Sequence, residues 1–510
     1  MSRINTNVQS LTAQRVLSQN NQSLNTSLSR LSTGLRITRG SDDPAGLVAS
    51  ENLRKELSAT NAAIGNAERA DQVVNIAEGG LQEVSGLLTE LQGLLTQTAN
   101  TAGLSDEEKE ANQLQVDSIL QTIDRIAGST NFQGEKLLNG NFDYQTTNVN
   151  ANVDSFRVNG AKFTGASLDV DVIVTQSAQQ AGLYLSLGGD INLQGAQGST
   201  FTIEISGADG SRELTFASGT TLATVASTIN TFTDVTGLVA TTSGTGVTLQ
   251  SSEYGSDQFA SVRVVDAANI DTGNLGLYNF QAADGDAVNT TRVSTFGAAS
   301  NGVRDAGQDL SATINGVAAT SNGRSININT DTLDVELTLS ETAATALGST
   351  QALDITGGGA DFQLAGNVDI AGKVSIGIQD VATRKLGRSD ASEPGAAADF
   401  RFLDDLGSGK ALNVVDGDLT EAQSVVGNAI SEISSLRGRL GAFQRNTIGA
   451  TIRSLNISVE NTAAAESVIR DADFATETAA LTRGQILTQS ATNTLSLANS
   501  QPQQVLQLLG

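Results

Sequence analysis

From Ala67 to Thr98 the small and apolar side chains recur every three or four residues without a miss: Ala67, Ala70, Val74, Ala77, Leu81, Val84, Leu88, Leu91, Leu95 and Thr98. Leu53, Leu57, Thr60 and Ile64 carry the same stripe backwards. An α-helix gathers such positions onto one face. The stripe therefore predicts a single helix from Leu53 to Thr98, roughly 70 Å long at 1.5 Å per residue. A rod of that kind needs partner helices along its side.

Both chain ends supply them. Val426, Ala429, Ile433, Leu436, Leu440, Phe443 and Thr447 alternate by three and four, and the stripe then moves one residue to Ile448, Ile452, Leu455 and Val459. Met1 to Ser41 contains five arginines and no acidic residue. Its stripe is Ile4, Val8 and Leu11, then Leu17, Leu24, Leu28, Leu31 and Leu35, with a phase slip between Leu11 and Leu17 that would alter the winding of a coiled coil. Gly484 to Gly510 carries no charge, and Leu487, Ala491, Leu495, Ala498, Val505 and Leu509 recur at helical spacing. This stretch is too polar to span a membrane and lacks the charges of a solvated surface helix. It needs a protein partner, first of all the other chain end, and beyond that other subunits. Closing the long detour between the ends costs entropy that grows only logarithmically. Pro502 predicts a kink or restart in the final helix.

Between Gly40 and Gly46 the chain breaks helix, with Asp43 as N-cap and Pro44 at the first helical position. Ser105 or Asp106 caps a third helix carrying Val116, Leu120, Ile123 and Ala127, and Phe132 to Gly140 reads as a small hairpin. From about residue 141 the period changes to two. Phe201, Ile203 and Ile205 alternate, Gly207–Gly210 turns, and Leu214 and Phe216 continue. Thr220–Phe232 reads as a short helix; Val247–Leu249, Val262–Val265, Ser325–Ile328 and Leu333–Leu339 read as strands. The expected fold is a mainly α rod of long coiled-coil helices formed by both chain ends. It carries a β-rich (α+β) central insertion of one or two small domains. The expected domains are 1–45 with 460–510 as inner terminal helices, 46–140 with 411–459 as a helical rod with a hairpin, and 141–410 as the variable outer part.

Composition narrows the function. The chain has 510 residues, a formal charge of −25, no cysteine, no histidine and no tryptophan. Absent His and Cys remove the commonest metal ligands and acid–base or thiol catalysts, so neither an enzyme nor a cofactor is expected. Acidity speaks against nucleic-acid binding, and no stretch predicts membrane insertion. Residues 141–410 hold 13 basic and 30 acidic residues, −17 of the total, as suits a solvent-facing part. No apolar core of the secretory type opens the chain, which on these facts alone reads equally well as cytoplasmic.

Three local patterns invite chemistry and have plainer readings. Asp42-Asp43 is a helix cap rather than a metal pair. Asp416-Gly417-Asp418 lacks the closing Glu of a calcium loop and reads as a turn. Gly357-Gly358-Gly359 lacks a phosphate-loop lysine and reads as a flexible loop.

Several motifs resemble bacterial flagellin. They are Ile4-Asn5-Thr6-Asn7, Leu31-Ser32-Thr33-Gly34-Leu35-Arg36-Ile37, Ser41 to Gly46, Ile123-Asp124-Arg125, Phe132-Gln133-Gly134, Ile469 to Glu477, Gln485-Ile486-Leu487 and Ala498 to Leu506. The resemblance covers roughly 1–140 and 420–510. Residues 201–265 also look like a repeat module of flagellins and hook-associated proteins. The resemblance implies a structural subunit that polymerises into the flagellar filament, outside the cell, after type III export without a cleaved signal peptide. It implies that Ile4, Val8, Leu11, Leu17, Leu24, Leu28, Leu31, Leu35, Leu487, Leu495, Val505 and Leu509 serve polymerisation. The implied partners are other copies of the chain, an export chaperone, and the hook-associated junction and cap proteins. Many flagellins are sensed by a Toll-like receptor through an arginine and a leucine on the second helix and a glutamate on the third. The matching positions are Glu90, Leu94 and Gln115, and the lost arginine implies weak or absent activation. A hook–filament junction protein, or a surface adhesin or enzyme acting through 141–410, remain as alternatives.

Overall fold

The computed structural model describes residues 6–100, 103–193, 199–268, 270, 273, 275–281, 284–390 and 400–509, without the side chains of 284–287, 390 and 502–509. Contacts divide the chain into two compact units. One comprises Met1–Glu78, Phe362–Val374 and Ser435–Gly510, the other Gly79–Asp361 and Ser375–Ser434.

In the first unit, helix α1 spans Val8–Thr33 and is capped by the Asn7 side chain, which accepts the Ser10 N–H. Gly34 ends it, at φ 72° and with its N–H donated to Arg30 O. The sequence stripe carries this helix through Leu35; the left-handed glycine stops it earlier. Leu35 instead forms an antiparallel bridge with Asp471, flanked by Arg36 N–H to Arg470 O at 2.7 Å and Ala472 N–H to Gly34 O at 2.9 Å. Helix α2, Pro44–Thr98, starts as expected. Asp43 Oδ1 accepts the Gly46 N–H at 2.8 Å. A Cβ at Gly46 would lie 2.5 Å from Asp43 Oδ2 and 2.7 Å from Ile37 Cδ1, so a side chain there would displace the capping carboxylate and Ile37.

The stripe's one-residue shift near Thr447 has a structural cause. Helices α4, Leu419–Ala442, and α5, Gly449–Arg470, are joined by a π-helical turn at Phe443–Ile448, where the Gly449 N–H reaches Gln444 O. A π turn inserts one residue, which moves the seam from Phe443 to Ile448, both buried. Within this unit Arg437 pairs with Glu78 at 2.8 Å, and Gln444 Nε2 donates to Asp71 Oδ1 and Asn75 Oδ1 at 2.9 Å each. Helix α6 runs from Phe474 to Leu509. It contains Pro502 without a break, so the helix does not restart there.

In the second unit, α3, Asp106–Ser129, opens with a capping box between Ser105 and Glu108. Asn112 Nδ2 donates to Thr98 Oγ1 at the end of α2. The expected hairpin pairs Phe132 with Glu135, its two turn residues Gln133 and Gly134 both at positive φ. The β-rich region has two hydrophobic cores, each shared by a five-stranded and a four-stranded antiparallel sheet. One core lies among strands Gln180–Ser186, Gly246–Tyr254, Thr200–Ser206, Ser211–Ala217 and Phe259–Asp266 and is covered by the helix Leu222–Asn230. The other lies among Val153–Ala161, Leu168–Gln176, Ser325–Asn329, Leu333–Leu339 and Gly348–Gly358. The chain leaves the second core at Gln179 and returns at Gln308, and these two residues exchange backbone hydrogen bonds of 2.9 Å. Gly357 and Gly358, read as loop, pair with Gln145 and Tyr144. A Cβ at Gly358 would meet Asp143 O at 2.1 Å, so the glycine serves close strand approach.

Candidate functional site

The two terminal helices pair along their length. Ser10 Oγ donates to Asn499 Oδ1 at 2.7 Å, Asn20 Nδ2 to Leu487 O at 3.3 Å, and Arg30 reaches Glu477 at 3.0 Å. Residue numbers rise along α1 as they fall along α6, so the pair is antiparallel. On α1 the covered positions of the seam are Ser10, Ala13, Leu17, Asn20, Leu24, Ser27 and Leu31; on α6 they are Glu477, Leu481, Gly484, Thr488, Ala491, Leu495 and Ala498, with Ser29, Arg30 and Ser500 half-buried beside them. Both sets alternate strictly by three and four, the spacing of a coiled-coil seam. No phase slip occurs between Leu11 and Leu17. The apparent slip comes from counting Val8 and Leu11 in the seam in place of Ser10 and Ala13.

Small side chains in this seam allow close approach. Leu24 sits against Gly484, where a Cβ would be 3.4 Å away. Glu477 occupies a seam position and is only 9% exposed, and Arg30 offsets its charge. Beyond the seam, Asp473 caps the start of α6. The Thr476 hydroxyl, then the Thr476 and Ala475 N–H groups, hold its carboxyl below the usual range. Asp42 is lowered in the same way, first by the Arg39 N–H and then by the Thr38 N–H and hydroxyl. Asp42 and Asp43 are thus both spent on turn and cap bonds. Asp418, in the other unit, caps α4 through the Thr420 and Glu421 N–H groups.

The expected polymerisation residues separate into groups. Leu17, Leu24, Leu31 and Leu495 lie in the seam. Val8, Leu11, Leu28 and Leu487 are exposed on the outer faces, with Leu497 and Ile486 beside them. Leu35 follows the C-cap of α1. Ile4 and the side chains of Val505 and Leu509 lie outside the described residues. Along one side of the seam Val8, Thr12, Val16, Leu487, Thr494 and Leu497 line a groove of about 620 Å³. Sequence reasoning missed Ser10, Ala13, Asn20 and Ser27; a search for small as well as apolar residues at three–four spacing finds them. In the second unit Glu90 and Gln115 are exposed, while Leu94 is buried. No helix among the described residues is long and apolar enough to cross a membrane.

Residues 4–143 match the family model of the bacterial flagellin N-terminal helical region, and residues 423–509 that of the C-terminal helical region. The B-type flagellin of Pseudomonas aeruginosa is 30% identical over 551 aligned residues, covering 99% of each chain. The chain belongs to the bacterial flagellin family. Flagellin B of Helicobacter pylori is 27% identical and flagellin of Salmonella typhimurium 28%, each again over 99% of both chains. As a flagellin the chain is a structural subunit that polymerises with its own kind into the extracellular flagellar filament. It is not an enzyme, and the junction-protein and adhesin readings are not favoured.

Proposed function

We propose that this flagellin assembles through the outer faces of the α1–α6 pair. Val8, Leu11, Leu28, Leu487 and Leu497 stay exposed there after the seam is filled, on helices poor in charge. That observation carries the reading, because apolar residues on an uncharged helix face need cover. A heterologous contact that does not close then propagates an open helical polymer. In this reading 1–45 and 460–510 form the inner layer, 46–140 and 411–459 the rod around it, and 141–410 the outer part. Type III export without a cleaved signal peptide, an export chaperone, and the junction and cap proteins complete the partners. Glu90 in place of an arginine makes Toll-like receptor activation weak or absent, and burial of Leu94 supports the same outcome. Deleting 484–510 tests the assembly reading: a folded monomer that no longer polymerises is expected, and normal filaments would sink it.

A further inference from the structure

Pro502 has no N–H, so it cannot donate to the carbonyl four residues back, at Ala498. Helix α6 nevertheless runs unbroken past it. The Ala498 carbonyl accepts a hydrogen bond from Asn7 Nδ2 at 2.8 Å. On the same amide, Oδ1 accepts the Ser10 N–H at 3.0 Å and caps α1. The two contacts fix the amide's orientation, since its oxygen faces an N–H and its nitrogen a carbonyl. One side chain thus starts the first helix and fills the gap in the last. Asn20 makes a weaker version of the contact, reaching Leu487 O at 3.3 Å, where the Ala491 N–H is available to the same carbonyl.

We propose that Asn7 is the residue that locks the register at the free tip of the terminal helix pair, held to the one carbonyl that Pro502 vacates. The Leu35–Asp471 bridge and the Arg30–Glu477 pair fix the register at the base, but the seam cannot hold it out to the tip alone. Its three–four pattern repeats every seven residues, so a slide of one heptad brings small residues and leucines back into similar places. The vacated carbonyl does not repeat. The other prolines are Pro44 and Pro394, so short of the last turn of α6 proline opens the ladder at Ala498 alone. Ala498 is 6% exposed, so water gives its carbonyl little alternative. Slid by a heptad, Asn7 meets a carbonyl already bonded in the ladder and leaves Ala498 unpaired. A single polar contact fixing the alignment of an otherwise permissive seam is a known use of asparagine in coiled coils.

The inference rests on the assembly reading above, and the test separates the two. Asn7→Ser keeps an oxygen to cap α1 but loses the amide donor; the critical concentration for polymerisation should rise about fivefold. Asn7→Asp sets an acceptor against the carbonyl and should cost more, above about tenfold. Pro502→Ala restores the N–H and closes the ladder, so in that background Asn7→Ser should cost less than about twofold. Equal losses in both backgrounds would reduce Asn7 to a helix cap, and no loss in either would remove it from the assembly altogether. A readout independent of polymerisation uses the absence of cysteine from the chain. The double variant Ser10→Cys, Asn499→Cys should oxidise to an intrachain disulfide in the full-length protein. Asn7→Ser should lower that yield and Pro502→Ala restore it. A yield indifferent to Asn7 would overturn the inference even if deletion of 484–510 abolished filaments, whereas filaments surviving that deletion would sink the assembly reading alone.

Discussion

The same three–four spacing is used twice in this molecule, to opposite ends. Along α2 the stripe residues Ala67, Ala70, Ala77, Leu81, Val84, Leu88 and Leu91 are wholly enclosed within the chain. The seam between α1 and α6 has the same period, yet it covers only a narrow strip and leaves leucines and valines outside it. Spacing alone therefore does not distinguish a closed core from an open interface. Polarity and charge do: an apolar stripe with charged residues opposite makes the first, and a stripe interrupted by Ser, Asn, Thr and Glu on helices with little charge makes the second.

This contrast breaks most readily at Leu88, which is fully buried. Leu88→Ala should lower the stability of the monomer by about 2–5 kcal/mol, read from urea unfolding. An unchanged midpoint would mean that the stripe of α2 is not a closed core. Leu497→Ala, at an exposed position on the outer face of α6, should do the reverse. Monomer unfolding should hold, while filaments lose about 2 kcal/mol per subunit, a roughly thirtyfold rise in critical concentration. Equal damage to monomer and filament would erase the distinction between closed core and open interface.

The outer face of α2 offers a sharper test, because Glu90 is exposed there opposite the buried stripe. Glu90→Arg should leave unfolding unchanged and raise Toll-like receptor potency roughly thirtyfold, a gain of about 2 kcal/mol. No gain in reporter cells would remove this position from receptor recognition. The smallest effect on assembly is expected from replacing most of 141–410 by a short linker. Polymerisation should persist, and a folded monomer that failed to assemble would show that the middle supplies essential subunit contacts.

Much of the helical part was legible in the sequence because large aliphatics at regular spacing have one structural solution. The stripe of α2, the Asp43–Pro44 start and even the one-residue shift at the π turn could be read directly. The seam of α1 could not, since Ser10, Ala13, Asn20 and Ser27 carry no hydrophobic signal and Val8 and Leu11 carry a misleading one. The unbroken run of α6 through Pro502 was not legible for another reason: the donor to the vacated carbonyl comes from Asn7, far away in sequence. In the middle, local alternation revealed strands such as Leu333–Leu339. It did not reveal the order of strands in each sheet, which depends on pairings such as Leu168–Gln176 with Gly348–Gly358.

The bridge between Leu35 and Asp471 also dictates an order of events. The bond from Asn7 to Ala498 joins residues 491 positions apart, a closure that is slow if attempted from an open chain. With the bridge already formed, α1 and α6 are two arms held at one end, and each successive contact closes only a short loop. Pairing then advances like a zip, from Arg30 and Glu477 through Leu24 and Gly484 to Asn7 and Ala498. The tip closes last and frays first, so the free ends of the arms are the part of the chain whose order depends most on what surrounds them.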